Sequence, residues 1–146
     1  MHQLTRDEAR GVRFRAWLWN GTEYQIHFDF FRVENRSTNY TLRLGGYNSS
    51  ASIGVPASCE GNFLTNNNRQ FTTKDRDNDG HASNNCAKII AGAGWWYKKC
   101  TNVSPNAKYC PSESCGKNHG NMKVACLMGA AYSMKKFQID VLVDDE

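Results

Sequence analysis

The sequence lacks any long apolar run. Nowhere do its 146 residues approach the roughly eighteen consecutive apolar residues that a membrane-spanning helix needs. The segment HQLTRDEARG, which follows Met1, also lacks the apolar core of a signal peptide. We therefore predict no membrane span, and we expect any leader that directed secretion to have preceded Met1.

Clustered positive charge and a catalytic spacing are absent as well. The 18 Lys and Arg against 14 Asp and Glu give a formal net charge of only +4, and the basic residues are scattered along the chain. Proteins that bind nucleic acid concentrate such residues, so we predict no nucleic-acid partner. No Ser/His/Asp or Cys/His spacing typical of nucleophilic catalysis stands out, and we predict that the chain is not an enzyme.

The cysteines include no Cys-x-x-Cys pair, which disfavours a zinc site. Six cysteines in so short a chain instead indicate disulfides and hence an oxidising, extracellular location. Asn-x-Ser/Thr glycosylation sequons support secretion, although the same asparagines could serve only as turn formers. These sequons begin at Asn20, Asn35, Asn39, Asn48 and Asn102.

Periodicity in the first third of the chain predicts a short helix and an antiparallel meander. In LTRDEARG, Thr5 followed by Glu8 predicts a capped helix that stops at Gly11. VRFRAWLW then alternates apolar and polar residues, NGT is a hairpin turn signal, and EYQIHFDFFRV resumes the alternation. The residues of this second strand that we expect on the core face are Tyr24, Ile26, Phe28 and Phe30.

A third strand is predicted in NYTLRLGGY, and a late strand in KKFQIDVLV at residues 135–143, which we expect to return to the same sheet. Between Tyr47 and about residue 121 the periodicity disappears. Loops of that length in a compact domain are usually functional, or are held by disulfides and ions. We see no internal repeat and no domain boundary, which predicts a single domain over residues 1–146.

Within this region, FTTKDRDNDGHASNNC begins like an EF-hand loop. Asp75, Asp77, Asp79 and Gly80 match its first oxygen donors and its glycine, but Cys86 stands where the closing glutamate should be. The flanks do not read as helices, so we predict that this is not an EF-hand. Three carboxylates so close together still favour a hard divalent cation; the alternative is a solvated acidic turn.

In order along the chain, FTTKDRDNDGHASNNCA, GAGWWYKKC and AAYSMKKFQIDV resemble the C-terminal globular domain of fibrinogen-related proteins. This family includes ficolins, tachylectins, angiopoietins, tenascins and fibrinogen chains. The resemblance implies an α+β, mainly antiparallel β fold with short helices. Residues 1–50 and 135–143 would form the sheet part, and residues 51–134 a calcium-binding and ligand-binding loop part. The family domain is longer, and we expect its first subdomain to be missing here.

The resemblance implies a calcium ion in the acidic loop. Its side-chain ligands would be Asp77 and Asp79, with backbone carbonyls from about His81 and Ser83 and with Asp75 as an outer partner. One extra residue between Asp79 and Cys86 means that the carbonyl positions are assigned only to within one residue.

The resemblance also implies a Cys86–Cys100 disulfide, a cis peptide between Lys99 and Cys100, and a ligand pocket beside it. In the lectin members this pocket takes an acetyl group. The residues implied for it here, with Trp95 as a further wall or support, are Lys99, Cys100, Thr101, Tyr109, Trp96, Tyr97, Asn118 and His119. Adjacent aromatics of this kind also serve the core, and we expect at least one of the tryptophans to be buried there.

Two departures from the family pattern bear on the pocket. Thr101 stands where many lectin members have histidine. The segment YCPSESCGKNHGNMKVACLMG replaces a stretch where the family carries tryptophan. Four cysteines, Cys59, Cys110, Cys115 and Cys126, are left with three alternative pairings.

Our first functional reading is therefore a secreted, calcium-dependent lectin of the innate-immune kind, which binds acetylated carbohydrate or microbial surface glycans as part of a larger oligomer. The alternative is a protein-interaction module that binds a peptide or a receptor, as fibrinogen and angiopoietins do. The charge of the pocket should discriminate between them. A peptide amino terminus needs a carboxylate, whereas an acetyl group suits a neutral aromatic wall, which Asn118 and His119 favour.

Overall fold

A computed structural model describes residues 1–115, 121–129 and 132–143 of the chain. The strands are β1 Arg10–Trp17, β2 Glu23–Val33, β3 Leu42–Tyr47, β4 Val103–Ser104, β5 Lys123–Val124 and β6 Lys136–Leu142. The main sheet has four strands in the order β3-β2-β1-β6, and every neighbouring pair is antiparallel. A second, two-stranded sheet pairs β4 with β5. The short helices are α1 His2–Thr5, α2 Ser58–Leu64, α3 Cys86–Ile89 and α4 Ala125–Met128, with a 3-10 turn at Arg36–Thr38. The predicted fold class is confirmed.

The alternation in β1 builds the centre of the core. Val12, Phe14 and Ala16 are buried, while Arg13 and Arg15 lie on the opposite face. Strand β6 pairs with β1 along its whole length, as Phe14↔Ile139 illustrates. The prediction that the late strand returns to the first sheet is thereby confirmed.

Strand β2 departs from its predicted alternation at one place. Between Arg10↔Phe31 and Val12↔Phe28, β1 advances by two residues and β2 by three, which is a β-bulge. Beyond this extra residue, the positions of β2 that would have faced the core face solvent, and the reverse. Phe31 is therefore 1% exposed and Phe30 is 45% exposed. The expectation that Phe30 faces the core was wrong, because a strict period of two cannot anticipate an inserted residue.

The predicted first helix is also displaced. Helix α1 ends at Thr5 instead of beginning there, and Gly11 lies inside β1. The Thr5 hydroxyl is buried, accepts a hydrogen bond from the Val33 amide at 3.0 Å and donates to the Met1 carbonyl at 3.3 Å. Thr5 thus joins α1 to the end of β2, a long-range contact that overrides the local capping pattern.

Three disulfides hold the long region outside the sheet. Cys59–Cys126 connects α2 to α4, Cys86–Cys100 connects α3 to the segment before β4, and Cys110–Cys115 closes a short turn. Every cysteine is therefore oxidised, as the absence of Cys-x-x-Cys pairs predicts. Among the described residues, no helix is long and apolar enough to cross a membrane.

Candidate functional site

The acidic loop folds back on the start of α3 through Asp79. One carboxylate oxygen, Oδ1, accepts a hydrogen bond from the His81 amide at 2.8 Å, and Oδ2 accepts one from the Cys86 amide at 2.7 Å. Asp77 Oδ1 accepts from the Asp79 amide at 3.3 Å. The two predicted calcium ligands therefore lie side by side in one closed turn.

Asp75 has different partners. Its carboxylate accepts a hydrogen bond from the Thr73 hydroxyl at 2.7 Å, and chiefly this bond lowers the pKa of Asp75 below its ordinary value. The neighbouring cations Lys74 and Arg76 act in the same direction. Asp75 is thus bonded within its own turn, and its outer position around a calcium ion stays a prediction.

Oxygen donors such as those of Asp77 and Asp79 suit a hard cation. Across residues 1–115, 121–129 and 132–143, no group of three or more His, Cys, Asp or Glu side chains is placed to hold a metal ion. A calcium ion would therefore depend on the two carboxylates together with backbone carbonyls near His81 and Ser83. The donor chemistry fits the implied ion, which would hold this strandless loop in place when bound.

The acidic loop docks against the segment that carries the second cysteine of the Cys86–Cys100 disulfide. The Gly80 amide donates to the Lys98 carbonyl at 2.8 Å. A Cβ atom at Gly80 would lie 2.9 Å from that carbonyl oxygen, so only glycine permits this approach. Loop and segment are thus in direct backbone contact.

Residues 98–102 form a tightly held turn. The Lys99–Cys100 peptide is cis, and the Lys98 amide donates to the Cys100 carbonyl at 2.8 Å. The Thr101 hydroxyl oxygen accepts from the side-chain amide of Asn66 at 3.0 Å and from the Val103 amide at 3.0 Å. Asn66 is buried and also donates to the Trp96 carbonyl at 2.9 Å, which makes it a positioning residue that the sequence did not reveal.

A cleft of about 380 Å³ opens over this turn. It brings together the predicted Lys99, Cys100 and Thr101 with residues distant in sequence, which lie directly after α2, at the end of α3 and in β5. The lining residues are Thr65, Ile89, Ile90, Lys98, Lys99, Cys100, Thr101, Asn102 and Lys123. We call this the lysine cleft.

The aromatic wall expected for the pocket is not in the lysine cleft. Tyr97 is completely buried, its hydroxyl donates to the Ala93 carbonyl at 2.5 Å, and burial raises its pKa. Trp96 is buried too, and its indole N–H donates to the Tyr40 carbonyl at 2.8 Å. Trp95 packs edge-on against Trp96, at a ring-centre distance of 4.9 Å. What remains exposed of the two tryptophans lines a separate cleft with Tyr40 and Phe71.

Tyr109 also lies elsewhere. It is exposed, stands 6.3 Å from the Trp19 ring, and lines a separate cleft with Trp17 and Lys136. Its assignment to the pocket beside Cys100 is corrected accordingly. Asn118 and His119 fall outside the described residues.

The lysine cleft carries three cationic side chains. Lys98 and Lys99 are exposed, whereas Lys123 is only 6% exposed and burial lowers its pKa. Within the described part of the chain, none of the three forms an ion pair, and no carboxylate lines the cleft. Lys123 enters from β5, 23 residues after Cys100, and for that reason no local motif could indicate it.

The sequon asparagines differ in exposure. Asn20, Asn35 and Asn102 are exposed, and Asn102 lines the lysine cleft. Asn39 and Asn48 are half-buried, and their side-chain amides donate to Gln70 and Asp29 respectively. Glycosylation at all five sequons stays a prediction.

The family model of the C-terminal globular domain of fibrinogen beta and gamma chains matches residues 1–142. The chain belongs to the fibrinogen C-terminal domain family. Among curated relatives of this fibrinogen-like domain, mouse angiopoietin-related protein 7 is 31% identical over 97% of the chain and 39% of the relative. Rat tenascin-R is 43% identical over 74% of the chain and 7% of the relative.

Solved structures agree with this assignment. The fibrinogen-like globe domain of human ANGPTL6 superimposes with a TM-score of 0.82 at 28% identity, covering 94% of this chain and 58% of that one. Lamprey fibrin D-dimer, solved with the peptide Gly-His-Arg-Pro-amide, gives a TM-score of 0.79 at 23% identity over 94% of this chain and 46% of that one. The lamprey likeness shows the fold alone.

This fibrinogen-like domain spans less than half the length of both curated relatives. Fibrinogen-like domains are in general not enzymes, in keeping with the prediction from sequence. The relatives' names, which are those of angiopoietin-related proteins, fibrinogen chains and a tenascin, favour a protein-interaction module and give the lectin reading no support.

Proposed function

We propose that this fibrinogen-like domain is an extracellular protein-interaction module that binds a peptide segment of a protein partner or receptor in the lysine cleft. The observation that carries the proposal is the cleft itself, built on a turn that a disulfide, a buried asparagine and the acidic loop hold in one conformation. Its volume is that of a site for a small group or a few side chains. Rigid sites of this kind lose little conformational entropy on binding.

The secreted relatives and the three disulfides support an extracellular location. The cleft chemistry supports a protein ligand over an acetylated sugar. An acetyl methyl group suits an apolar aromatic wall, and none of the described residues that line the lysine cleft is aromatic. Of the aromatic side chains expected there, Tyr97 is fully buried and Tyr109 lines another cleft. Trp95 and Trp96 line a separate cleft.

In this proposal calcium has a structural role. Asp77 and Asp79 would bind the ion with nearby carbonyls, and the Gly80–Lys98 backbone contact would transmit the order of the loop to the turn. We also retain oligomerisation of the full-length protein as part of the proposal, because single-site affinity for a short peptide is modest and avidity raises it.

The test is selection from a random peptide library on the immobilised chain, prepared without N-glycans so that Asn102 stays bare. Selected peptides are then measured against Ile89→Trp, which fills the cleft rim, and against Ile53→Trp as a matched control. Both isoleucines are exposed, at 48% and 56%, but only Ile89 lines the cleft.

We expect peptide binding to be lost in Ile89→Trp and kept in Ile53→Trp. Equal binding to both variants would show that the lysine cleft is not the site. N-acetylglucosamine is titrated in parallel. The proposal would be overturned in favour of a lectin if this sugar bound the wild type but not Ile89→Trp, and if no selected peptide bound in the lysine cleft.

A further inference from the structure

The charge of the lysine cleft indicates what its ligand presents. A buried ammonium group is costly unless an anion or a set of acceptors accompanies it. Lys123 is only 6% exposed, so little of its side chain reaches water, and it lines the same cleft as Lys98 and Lys99. Among the described residues none of these side chains has an ionic partner.

Both sequence-based alternatives for the ligand conflict with this cleft. A peptide amino terminus is a cation and would be repelled by three ammonium groups, since no described carboxylate lines the cleft to hold it. An acetyl group is neutral and leaves the charge of Lys123 uncompensated. An anion compensates the positive charge of the cleft, and charge-assisted hydrogen bonds between ammonium and carboxylate are among the strong ones in proteins.

The rim adds an apolar requirement. Ile89 is 48% exposed beside the buried Ile90, and both line the cleft. A ligand that places an apolar side chain on Ile89 removes that surface from water while its anion reaches the lysines. Ile89 belongs to α3, and Lys99 belongs to the turn before β4. The Cys86–Cys100 disulfide links α3 to this turn, so the apolar rim and the lysines keep a fixed relative position.

We propose that the lysine cleft binds a carboxylate presented by an acidic peptide segment of the protein partner, with a large apolar residue next to the acidic one. The inference rests on the proposed function and gives its ligand a chemical class. The carboxylate has two sources in a peptide, an Asp or Glu side chain and a free carboxyl terminus.

The experiment uses capped peptides and the full chain. Fluorescently labelled Ac-Gly-Leu-Asp-Gly-NH2 is compared with its Leu-Asn counterpart, and Ac-Gly-Gly-Leu with a free carboxylate is compared with its amide. We expect the carboxylate form of at least one pair to bind about tenfold or more tighter than its neutral form, the value of one charged hydrogen bond. Which pair responds identifies the source of the carboxylate.

Lysine variants locate the effect. Lys99→Gln removes an exposed ammonium, and Lys123→Met removes the buried one while it keeps an apolar stem of similar length. Both should bring the affinity of the acidic peptide down towards that of its neutral partner. Lys108→Gln, an exposed lysine outside the cleft, is the matched control and should leave the preference unchanged. Thermal unfolding of each variant shows that the fold is retained, and Lys99→Gln carries the test by itself if Lys123→Met does not fold.

The two proposals fail differently. If library peptides bind the cleft, lose binding in Ile89→Trp and show no preference for acidic residues, the carboxylate proposal is overturned and the protein-interaction site stands. The same holds if acidic and neutral peptides bind equally to wild type and to Lys99→Gln. If no peptide of any charge binds the cleft, the proposed function falls and the carboxylate proposal falls with it.

Discussion

Asp140 on β6 organises the charged residues on the polar face of the main sheet. The Gln138 side chain donates to its carboxylate at 2.6 Å, and Arg13 donates from β1 at 3.0 Å. Arg15 lies 4.0 Å away. The Gln138 hydrogen bond is the main cause that lowers the pKa of Asp140, the Arg13 contact adds to it, and burial opposes both.

A lowered pKa predicts how stability depends on pH at this residue. Because the folded state holds the Asp140 proton less tightly than the unfolded chain, this contribution is complete above the ordinary aspartate pKa of about 4 and is lost as the pH falls through the folded-state value. Asp140→Asn should therefore reduce the loss of unfolding free energy on acidification, and Arg13→Gln should reduce it less. Urea unfolding across the acidic range measures both, and an unchanged pH dependence in Asp140→Asn would contradict the assignment.

Individual site residues were predictable where a local motif carries them. Lys99, Cys100 and Thr101 are contiguous and line one cleft, and their role in binding a ligand stays a prediction. Lys123 and Asn66 reach the same place from other segments, and only the folded chain reveals them. Tyr97 and Tyr109 were misplaced, because residue type predicts a preference for ligands without deciding which way a side chain faces.

Among the strands, the β-bulge in β2 provides a sharp test. Phe31→Ala should cost about 3–5 kcal/mol of unfolding free energy, the range for a fully buried phenylalanine. Phe30→Ala, the same change on the adjacent exposed residue, should cost less than about 1 kcal/mol. Urea unfolding measures the unfolding free energy of the two variants. A larger loss in Phe30→Ala than in Phe31→Ala would contradict the β-bulge and favour the uninterrupted alternation that the sequence predicts.

For the acidic loop, the prediction concerns calcium. The wild-type melting temperature should rise in calcium relative to chelator, because an ion that binds only the folded loop stabilises it. Asp77→Ala with Asp79→Ala should abolish that response and weaken peptide binding in the lysine cleft, since Gly80 connects loop and turn. Thermal unfolding and peptide titration of the same samples measure the two effects.

Asp75→Ala is the matched control for that double variant, because Asp75 bonds to Thr73 and lies outside the implied ligand set. It should keep the calcium response. Peptide binding that persisted in the double variant after the calcium response had gone would disprove the coupling between loop and cleft.

The strands were more predictable than the irregular region. Alternation alone located β1, β2, β3 and β6. One face of the sheet is buried, and burial requires an apolar residue at every second position of each strand. The helices α2, α3 and α4 have seven or fewer residues each and are fixed by disulfides and long-range contacts, so they leave little periodic signal.

At the scale of the whole molecule, three disulfides link the segments that lie outside the main sheet. Cys59–Cys126 closes a separation of 67 residues and joins the helix beside the core to the helix after β5. Cys110–Cys115 closes a separation of only 5 residues. Neither pairing follows from the sequence, because four cysteines with no spacing motif are equally compatible with three connectivities.

The difference in loop length predicts unequal contributions to stability. In the chain-entropy model a bridge over 67 residues restricts the unfolded chain by about 4 kcal/mol, and one over 5 residues by about 2 kcal/mol. Replacing Cys59 and Cys126 together by alanine should therefore lower the unfolding free energy more than the same double replacement of Cys110 and Cys115. Urea unfolding under non-reducing conditions compares the two variants. Equal losses would mean that other contacts already keep the denatured chain compact. The long bridge would then restrict the unfolded state less than the chain-entropy model states.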